Sequence, residues 1–428
     1  MFIDFSVQNY RSIKDCVTLS AIASKHRIAR GTKRRRPPQP DAEIANPYSI
    51  PGRGIDLLPV LGIFGANASG KTNVVRALED LLAYIAFGGT TGSLGSPDWF
   101  VPFMFDKKCR KSPTRMQLRV TIDGAIYEYL LEVRAARVES ERLKYIPPYP
   151  KRMLSRLVFD RTWDAKRSRY DWKNGKLLGE VYKEIQLSLN EREPFINFLT
   201  QRLKVEALEP FGKWVYKKWP GELRFQTVGE QMLVPEILHR VPMFKNQVVA
   251  LIRSFDTGID NIEIEQDKST GQSPVNEWTI WATHKSGSES FRFPFSEEST
   301  GTQRLFELAS KMLVAFANGT LMIGDELTSS IHPNITRRLI ELFQSEETNP
   351  RRAQLLFTSH DNTLQKSGLL RRDQIWFTEK KSDGSTDLYP LTDFGPRNDL
   401  AIDKAYLDGR FGAVPIVPQD LRGLVTQK

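Results

Sequence analysis

Cysteine is scarce in this sequence. Two occur in 428 residues, Cys16 and Cys109, far apart and without the paired spacing of a metal site. That excludes a disulfide framework and a cysteine-rich zinc centre, and it sets the expectation of a reducing, cytoplasmic compartment. Long apolar runs are also missing. No stretch approaches the roughly 20 apolar residues that cross a bilayer, so no membrane partner is expected. The first residues, Met1-Phe2-Ile3-Asp4-Phe5-Ser6-Val7, alternate like a strand and lack the basic head and apolar core of a signal peptide. There are no sustained heptads, no internal repeats and no low-complexity tail, which excludes a long coiled coil or a solenoid. Acids are in deficit, 51 against 61 Lys and Arg, for a net charge of +10. Such a balance invites a nucleic acid or an acidic protein as partner.

The basic excess is sharpest from Lys25 to Arg36. Lys25, Arg27, Arg30, Lys33, Arg34, Arg35 and Arg36 run without an acid among them, and Pro37, Pro38 and Pro40 follow. The prolines mark an exposed loop rather than a helix face. A solvated loop and a contact for a phosphate backbone both satisfy this pattern. No aromatic residue interleaves with the arginines, so base stacking by this segment is not supported.

What the chain does have is Leu61-Gly62-Ile63-Phe64-Gly65-Ala66-Asn67-Ala68-Ser69-Gly70-Lys71-Thr72. An apolar strand runs into a glycine-bounded loop ending in Lys-Thr, and a helix is predicted from Asn73 to Tyr84. This is the phosphate-binding pattern G-x-x-x-x-G-K-[ST] in its strand–loop–helix setting. Gly65 and Gly70 let the backbone curl, so that N–H groups along Asn67, Ala68, Ser69 and on to Asn73 face phosphate oxygens. The helix adds its positive N-terminal end. Lys71 reaches the terminal phosphates of ATP, and the Thr72 hydroxyl is placed to hold Mg²⁺. A partner carboxylate for the metal is expected from the apolar strand Leu321-Met322-Ile323-Gly324, which ends on Asp325-Glu326. Asp325 is the candidate metal ligand, and Glu326 the candidate base that polarises water in line with the last phosphate.

Most of the chain lies between Thr72 and Asp325. That separation is similar to the ABC-type ATPase heads of SMC and RecF proteins, which split one nucleotide site around an insertion. The resemblance implies two further elements. Ser296-Glu297-Glu298-Ser299-Thr300-Gly301-Thr302-Gln303-Arg304, opening a helix, looks like the signature motif, with Ser299, Gly301 and Thr302 as its phosphate-facing residues. His360, after the strand Leu355-Leu356-Phe357-Thr358-Ser359, matches the switch histidine at the γ-phosphate. In such heads the signature of one subunit closes on the Walker A nucleotide of another, so a head-to-tail homodimer or higher oligomer around ATP is implied.

A finer resemblance is to stand-alone prokaryotic ABC-type ATPases of the AAA-15/AAA-21 group, related to the ATPase half of OLD nucleases and to ATPases of anti-phage operons. It rests on Asn9-Tyr10-Arg11-Ser12-Ile13-Lys14-Asp15, Ser254-Phe255-Asp256-Thr257-Gly258-Ile259, the signature, Asp325-Glu326-Leu327-Thr328-Ser329-Ser330-Ile331-His332-Pro333, and Tyr406 to Pro415. It implies an ATP-hydrolysing switch acting on a separately encoded effector, nuclease-like in kind. The sequence departs from the pattern in two places: no Q-loop glutamine stands near Pro102-Phe103, and Thr328 replaces an acid common in relatives. A RecF-like DNA-binding ATPase of repair is the alternative. A one-chain nuclease is disfavoured, because fewer than seventy residues follow His360 and Asp383 and Asp387 read as a polar turn. A small-molecule kinase would not need Ser299–Gly301 or His360.

The expected fold is α/β: an ABC-type head with a mixed central sheet, an antiparallel β-subdomain and a helical insertion. Residues 1–175 read as the first lobe, with an Asp123-Gly124 hairpin between Met116 and Arg134. Residues 176–260 read as a compact helical insertion, and 261–428 as the second lobe.

Overall fold

The structure is a computed structural model. It describes residues 1–24, 47–88, 99–135, 137–149, 154–178, 189–201, 205–218, 233–267, 277–366, 368–397 and 400–415. The Lys25–Arg36 cluster lies outside them.

Apolar alternation sets the first layer. Strands β1 (Phe2–Gln8) and β2 (Val17–Ser20) flank the Asn9–Asp15 turn, and the short hairpin β3 (Tyr48–Ile50) and β4 (Ile55–Leu57) precedes β5 (Val60–Phe64) and helix α1 (Lys71–Phe87). Strands β6 (Thr114–Ile122), β7 (Ala125–Arg134), β8 (Arg137–Ile146), β9 (Arg156–Asp164) and β10 (Arg169–Asn174) then join β1 and β2. The sheet order is β10-β9-β8-β7-β6-β1-β2, antiparallel at every step. β6 buries Thr114, Met116, Leu118 and Val120, the period of two that a sheet with one covered face requires. The Asp123-Gly124 turn pairs Ile122 with Ala125, as its sequence predicts.

The next elements are α2 (Phe195–Gln201), α3 (Glu209–Lys218), α4 (Leu233–Arg240), α5 (Pro242–Arg253), β11 (Ile259–Asp267), β12 (Glu277–Ser286), β13 (Glu289–Pro294) and α6 (Thr300–Asn318). The helices of the 176–260 segment divide between two cores. α2 and α3 pack Phe195, Leu199, Phe211 and Trp214 onto the core shared by α1 and the seven-stranded sheet. α4 and α5 pack Leu238, Val248 and Ile252 with the three-stranded sheet β11-β12-β13 and one side of α6.

The central sheet is built on two short strands that read as unbroken apolar runs, β5 (Val60-Leu61-Gly62-Ile63-Phe64) and Leu321-Met322-Ile323-Gly324. β14 (Leu321–Gly324), β15 (Gln354–Ser359), β16 (Ile375–Lys380) and β17 (Thr386–Pro390) join β5 in the order β14-β15-β5-β16-β17. The first four are parallel and β17 is antiparallel. Every residue of β5 and β15 is buried, because helices cover both faces. α1 fills the space between the two large sheets. α6, α7 (Pro333–Gln344) and α8 (Ile402–Leu407) cover the opposite face. Gln354 joins the sheets directly: its Oε1 accepts from Phe2 N at 2.6 Å, and its Nε2 donates to Phe2 O and Leu58 O, both at 3.0 Å.

Two details differ from the sequence reading. α1 begins at Lys71 rather than Asn73. Asp387 lies inside β17, paired with Glu379, not in a turn. The Tyr406–Pro415 segment packs on the central sheet, where the Tyr406 and Phe411 rings stack on Phe377 at 5.3 and 5.8 Å. No helix among the described residues is long and apolar enough to cross a membrane.

Candidate functional site

Parallel pairing brings the C-terminal ends of β14, β15 and β5 to one edge. Gly324 pairs with Phe357, and Ser359 with Phe64. The Gly65–Thr72 loop, Asp325-Glu326 and His360 therefore leave three adjacent strands side by side, where open α/β sheets bind ligands. Residues separated by more than 250 positions in the chain meet here: Thr72 Oγ1 donates to Asp325 Oδ1 at 3.3 Å.

Lys71 is buried at the mouth of the loop. Its Nζ donates to Gly65 O and Ala66 O, both at 2.9 Å, and stands 3.4 Å from His360 Nδ1. Burial pulls its pKa down to about 8, against the opposing pull of Asp325 and Glu326. Burial, and then the Lys71 charge, also lower the His360 pKa. Asn67 and Ala68 form the exposed rim of the loop, with Ala68 at φ 60°. Gly70, at φ 107°, caps α1; any Cβ there would strike the Thr386 side chain.

Several threonines and serines that sequence reasoning did not single out hold this geometry. Thr358 Oγ1 donates to Asp325 Oδ1 at 2.6 Å and accepts from Glu326 N at 2.8 Å. One hydroxyl thus fixes both acids. Glu326 sits at φ 48°, an uncommon conformation for this residue type and one that clusters at functional sites. Ser69 Oγ pairs with Thr378 Oγ1 at 2.7 Å, and Thr386 Oγ1 donates to Ser69 O at 2.9 Å. Asn73 turns its side chain to Ser12 Oγ at 2.7 Å, which ties the N-terminal turn to α1. Thr328, in place of an acid, bonds Ser359 Oγ at 3.0 Å.

Ser299, Gly301 and Thr302 form a second cluster at the start of α6. Ser299 Oγ caps the helix, accepting from Thr302 N at 3.1 Å. A Cβ on Gly301 would stand 2.6 Å from Ser330 O, so glycine allows the close approach of helix start and loop. No hydrogen bond among the described residues joins these three to residues 65–73. Arg304, one turn along α6, donates to Asp325 O at 3.0 Å and pairs with Glu307 at 2.7 Å. This link between the two clusters has no signal in the sequence pattern.

No group of three or more His, Cys, Asp or Glu among the described residues could hold a metal by itself. Thr72 and Asp325 offer two hard oxygens 3.3 Å apart. That donor set fits Mg²⁺, which takes few protein ligands and completes its shell with phosphate and water.

Solved structures similar to this chain include two SMC heads. The first is an SMC head bound to the C-terminal winged-helix domain of ScpA: 11% identity, covering 95% of this chain and 99% of that one, TM-score 0.46. The second is an Smc head domain with an extended coiled coil bound to the C-terminal domain of ScpA, derived from Pyrococcus furiosus: 13% identity, covering 96% and 98%, TM-score 0.38. No curated protein gives a significant match. Residues 60–364, which span the loop, both acids and His360, match the family model described as "AAA domain, putative AbiEii toxin, Type IV TA system", and the chain belongs to that AAA-domain family.

Proposed function

We propose that this AAA-type ATPase is a switch: it binds Mg-ATP, closes head-to-tail on a second copy, and reopens on hydrolysis. The observation that carries the reading is the Thr358 hydroxyl, which holds Asp325 and Glu326 together beside Thr72 and Lys71. The loop N–H groups and the N-terminal end of α1 bind phosphate oxygens. Lys71, already desolvated between two carbonyls, exchanges them for the terminal phosphates. Thr72 and Asp325 would hold Mg²⁺, which would supply positive charge against that of the phosphates. Glu326 orients and deprotonates the attacking water, and His360 faces the γ-phosphate. Ser299, Gly301 and Thr302 are exposed or half-buried and unbonded to their own loop, as suits residues that serve the nucleotide of a second copy.

Glu326→Gln tests this directly. The variant keeps ATP bound and doubles in mass by light scattering when ATP is added, while its turnover falls about 10²- to 10⁴-fold. Wild-type turnover in this variant removes Glu326 from its role. The family description, with its toxin–antitoxin setting, supports a prokaryotic defence role through a separately encoded effector. Co-purification with the product of a neighbouring gene, with and without ATP, tests that part; no ATP-dependent partner would refute it.

A further inference from the structure

A second cavity, of about 580 Å³, shares no residue with the nucleotide site. Its walls carry Arg110, Lys111, Arg134, Arg137 and Arg192, with Glu191 the only carboxylate lining it. Arg134 and Arg137 share one acid, Glu139, at 2.9 Å each, and Glu191 is 3.9 Å from Arg137. Among the described residues no carboxylate pairs with Arg110, Lys111 or Arg192. The Arg137 guanidinium lies 4.6 Å over the Trp163 ring, and its Nε is buried without a hydrogen-bond partner among those residues.

The backbone carrying these cations is held from beneath. Asn9 Nδ2 donates to Cys109 O at 2.8 Å and Ser112 O at 3.0 Å, fixing the Arg110–Lys111 turn. Val138 N donates to Glu191 O at 2.9 Å, Tyr84 Oη donates to Arg192 O, and the buried Arg161 donates to Glu193 O at 2.5 Å. Five cations are thus kept at one opening with too few acids to balance them. They repel one another in the free protein, and a polyanion relieves that repulsion. Three of them, Arg110, Lys111 and Arg192, have no carboxylate partner among the described residues and are exposed, with Arg110 Nε donating to Met104 O at 2.7 Å. The five cations come from three chain segments around an open cavity, 110–111, 134–137 and 192, which suits successive phosphates along a chain better than one small anion, which needs convergent donors. No aromatic side chain among the described residues lines the cavity, so the contact reads phosphates rather than sequence.

We propose that this basic pocket docks the phosphodiester backbone of a nucleic acid, without sequence preference. The test uses the full chain and a fluorescent DNA duplex, with affinity measured across a series of NaCl concentrations. Removing three phosphate contacts with Arg110→Ala, Lys111→Ala and Arg192→Ala together makes the slope of log K against log salt shallower by roughly 2.7. Turnover of ATP without DNA stays at the wild-type level, which also shows that the variant is folded. The charge-conserving Arg192→Lys keeps the wild-type slope. Lys71→Ala keeps it too, so a failure of the nucleotide reading is distinguishable from a failure of this one. An unchanged slope in the triple variant overturns the proposal. So does retention on phosphatidylserine vesicles, lost in the triple variant, with no duplex binding at low salt, which would make the surface a membrane contact.

Discussion

Raising the pH should release nucleotide, through Lys71. The charged ammonium is the form that holds a triphosphate, and burial brings its pKa to about 8. A bound polyanion favours the charged form and restores the pKa to at least the ordinary lysine range, near 10.4. Binding therefore takes up a proton wherever the free protein has lost it. The sign is fixed: below pH 8 Lys71 is charged in both states and affinity is flat, and above pH 8 affinity falls until the bound-state pKa is reached. Linkage gives about a tenfold rise in Kd between pH 7 and 9, with uptake of roughly 0.75 proton per site at pH 8.5. Calorimetric titration of a non-hydrolysable ATP analogue, in two buffers of different ionisation heat, measures both quantities. Lys71→Arg supplies the control, because a guanidinium stays charged throughout and the curve should flatten. A wild-type Kd that is constant from pH 7 to 9, or an equal slope in Lys71→Arg, refutes the reasoning.

Three other outcomes follow from named contacts. Gly301→Ala puts a methyl 2.6 Å from Ser330 O, so the start of α6 must move; a stability loss of about 1–3 kcal/mol is expected by denaturant titration, and ATP-dependent dimerisation should fail while ATP affinity holds. Arg304→Met removes a charge-assisted bond to the Asp325 carbonyl, worth about 1.5–3 kcal/mol; single-turnover hydrolysis should fall more than ATP affinity, and equal effects on both would count against the link. Glu141→Gln breaks the fully buried pair with Arg161 at 2.7 Å and weakens the acceptor for Phe195 N and Ile196 N at the start of α2. A loss of about 3–5 kcal/mol is expected in thermal unfolding, and a much smaller one in Glu141→Leu/Arg161→Met, where no charge is left unpaired.

How far the sequence reached depended on whether the signal was local. β5 is a continuous apolar run, β15 has the apolar centre Leu355-Leu356-Phe357, and the Asp123-Gly124 turn pins its hairpin by chemistry alone, so all three could be read without neighbours. Pro333 at the start of α7 is equally local. β8 could not be read this way, because its Arg-Val-Glu-Ser-Glu-Arg pattern hides a core position: Glu141 is fully buried and acceptable because Arg161 and Tyr129 reach it from other strands and the N–H groups of Phe195 and Ile196 donate to it. In the site, Lys71, Thr72, Asp325 and Glu326 carry patterned spacing. Thr358, Thr378, Thr386 and Arg304 carry none, since each acts through a residue that only the tertiary fold brings near. The two-core split of residues 176–260 is of the same kind, because amphipathic helices do not reveal which of two surfaces they will cover.

That split has a mechanical consequence. The antiparallel and central sheets share α1 as a common filling and are stitched by Gln354, so they form one packed block. The body formed by α4, α5 and β11–β13 belongs to a different core, and α6 serves both, giving Leu305, Leu308 and Met312 to the block and Phe306 and Ala309 to the smaller body. α6 is therefore the axle of the molecule. Ser299 and Arg304 both lie at the start of α6, so the outward-facing cap and the bond to the Asp325 carbonyl are carried by the same helix that joins the two bodies.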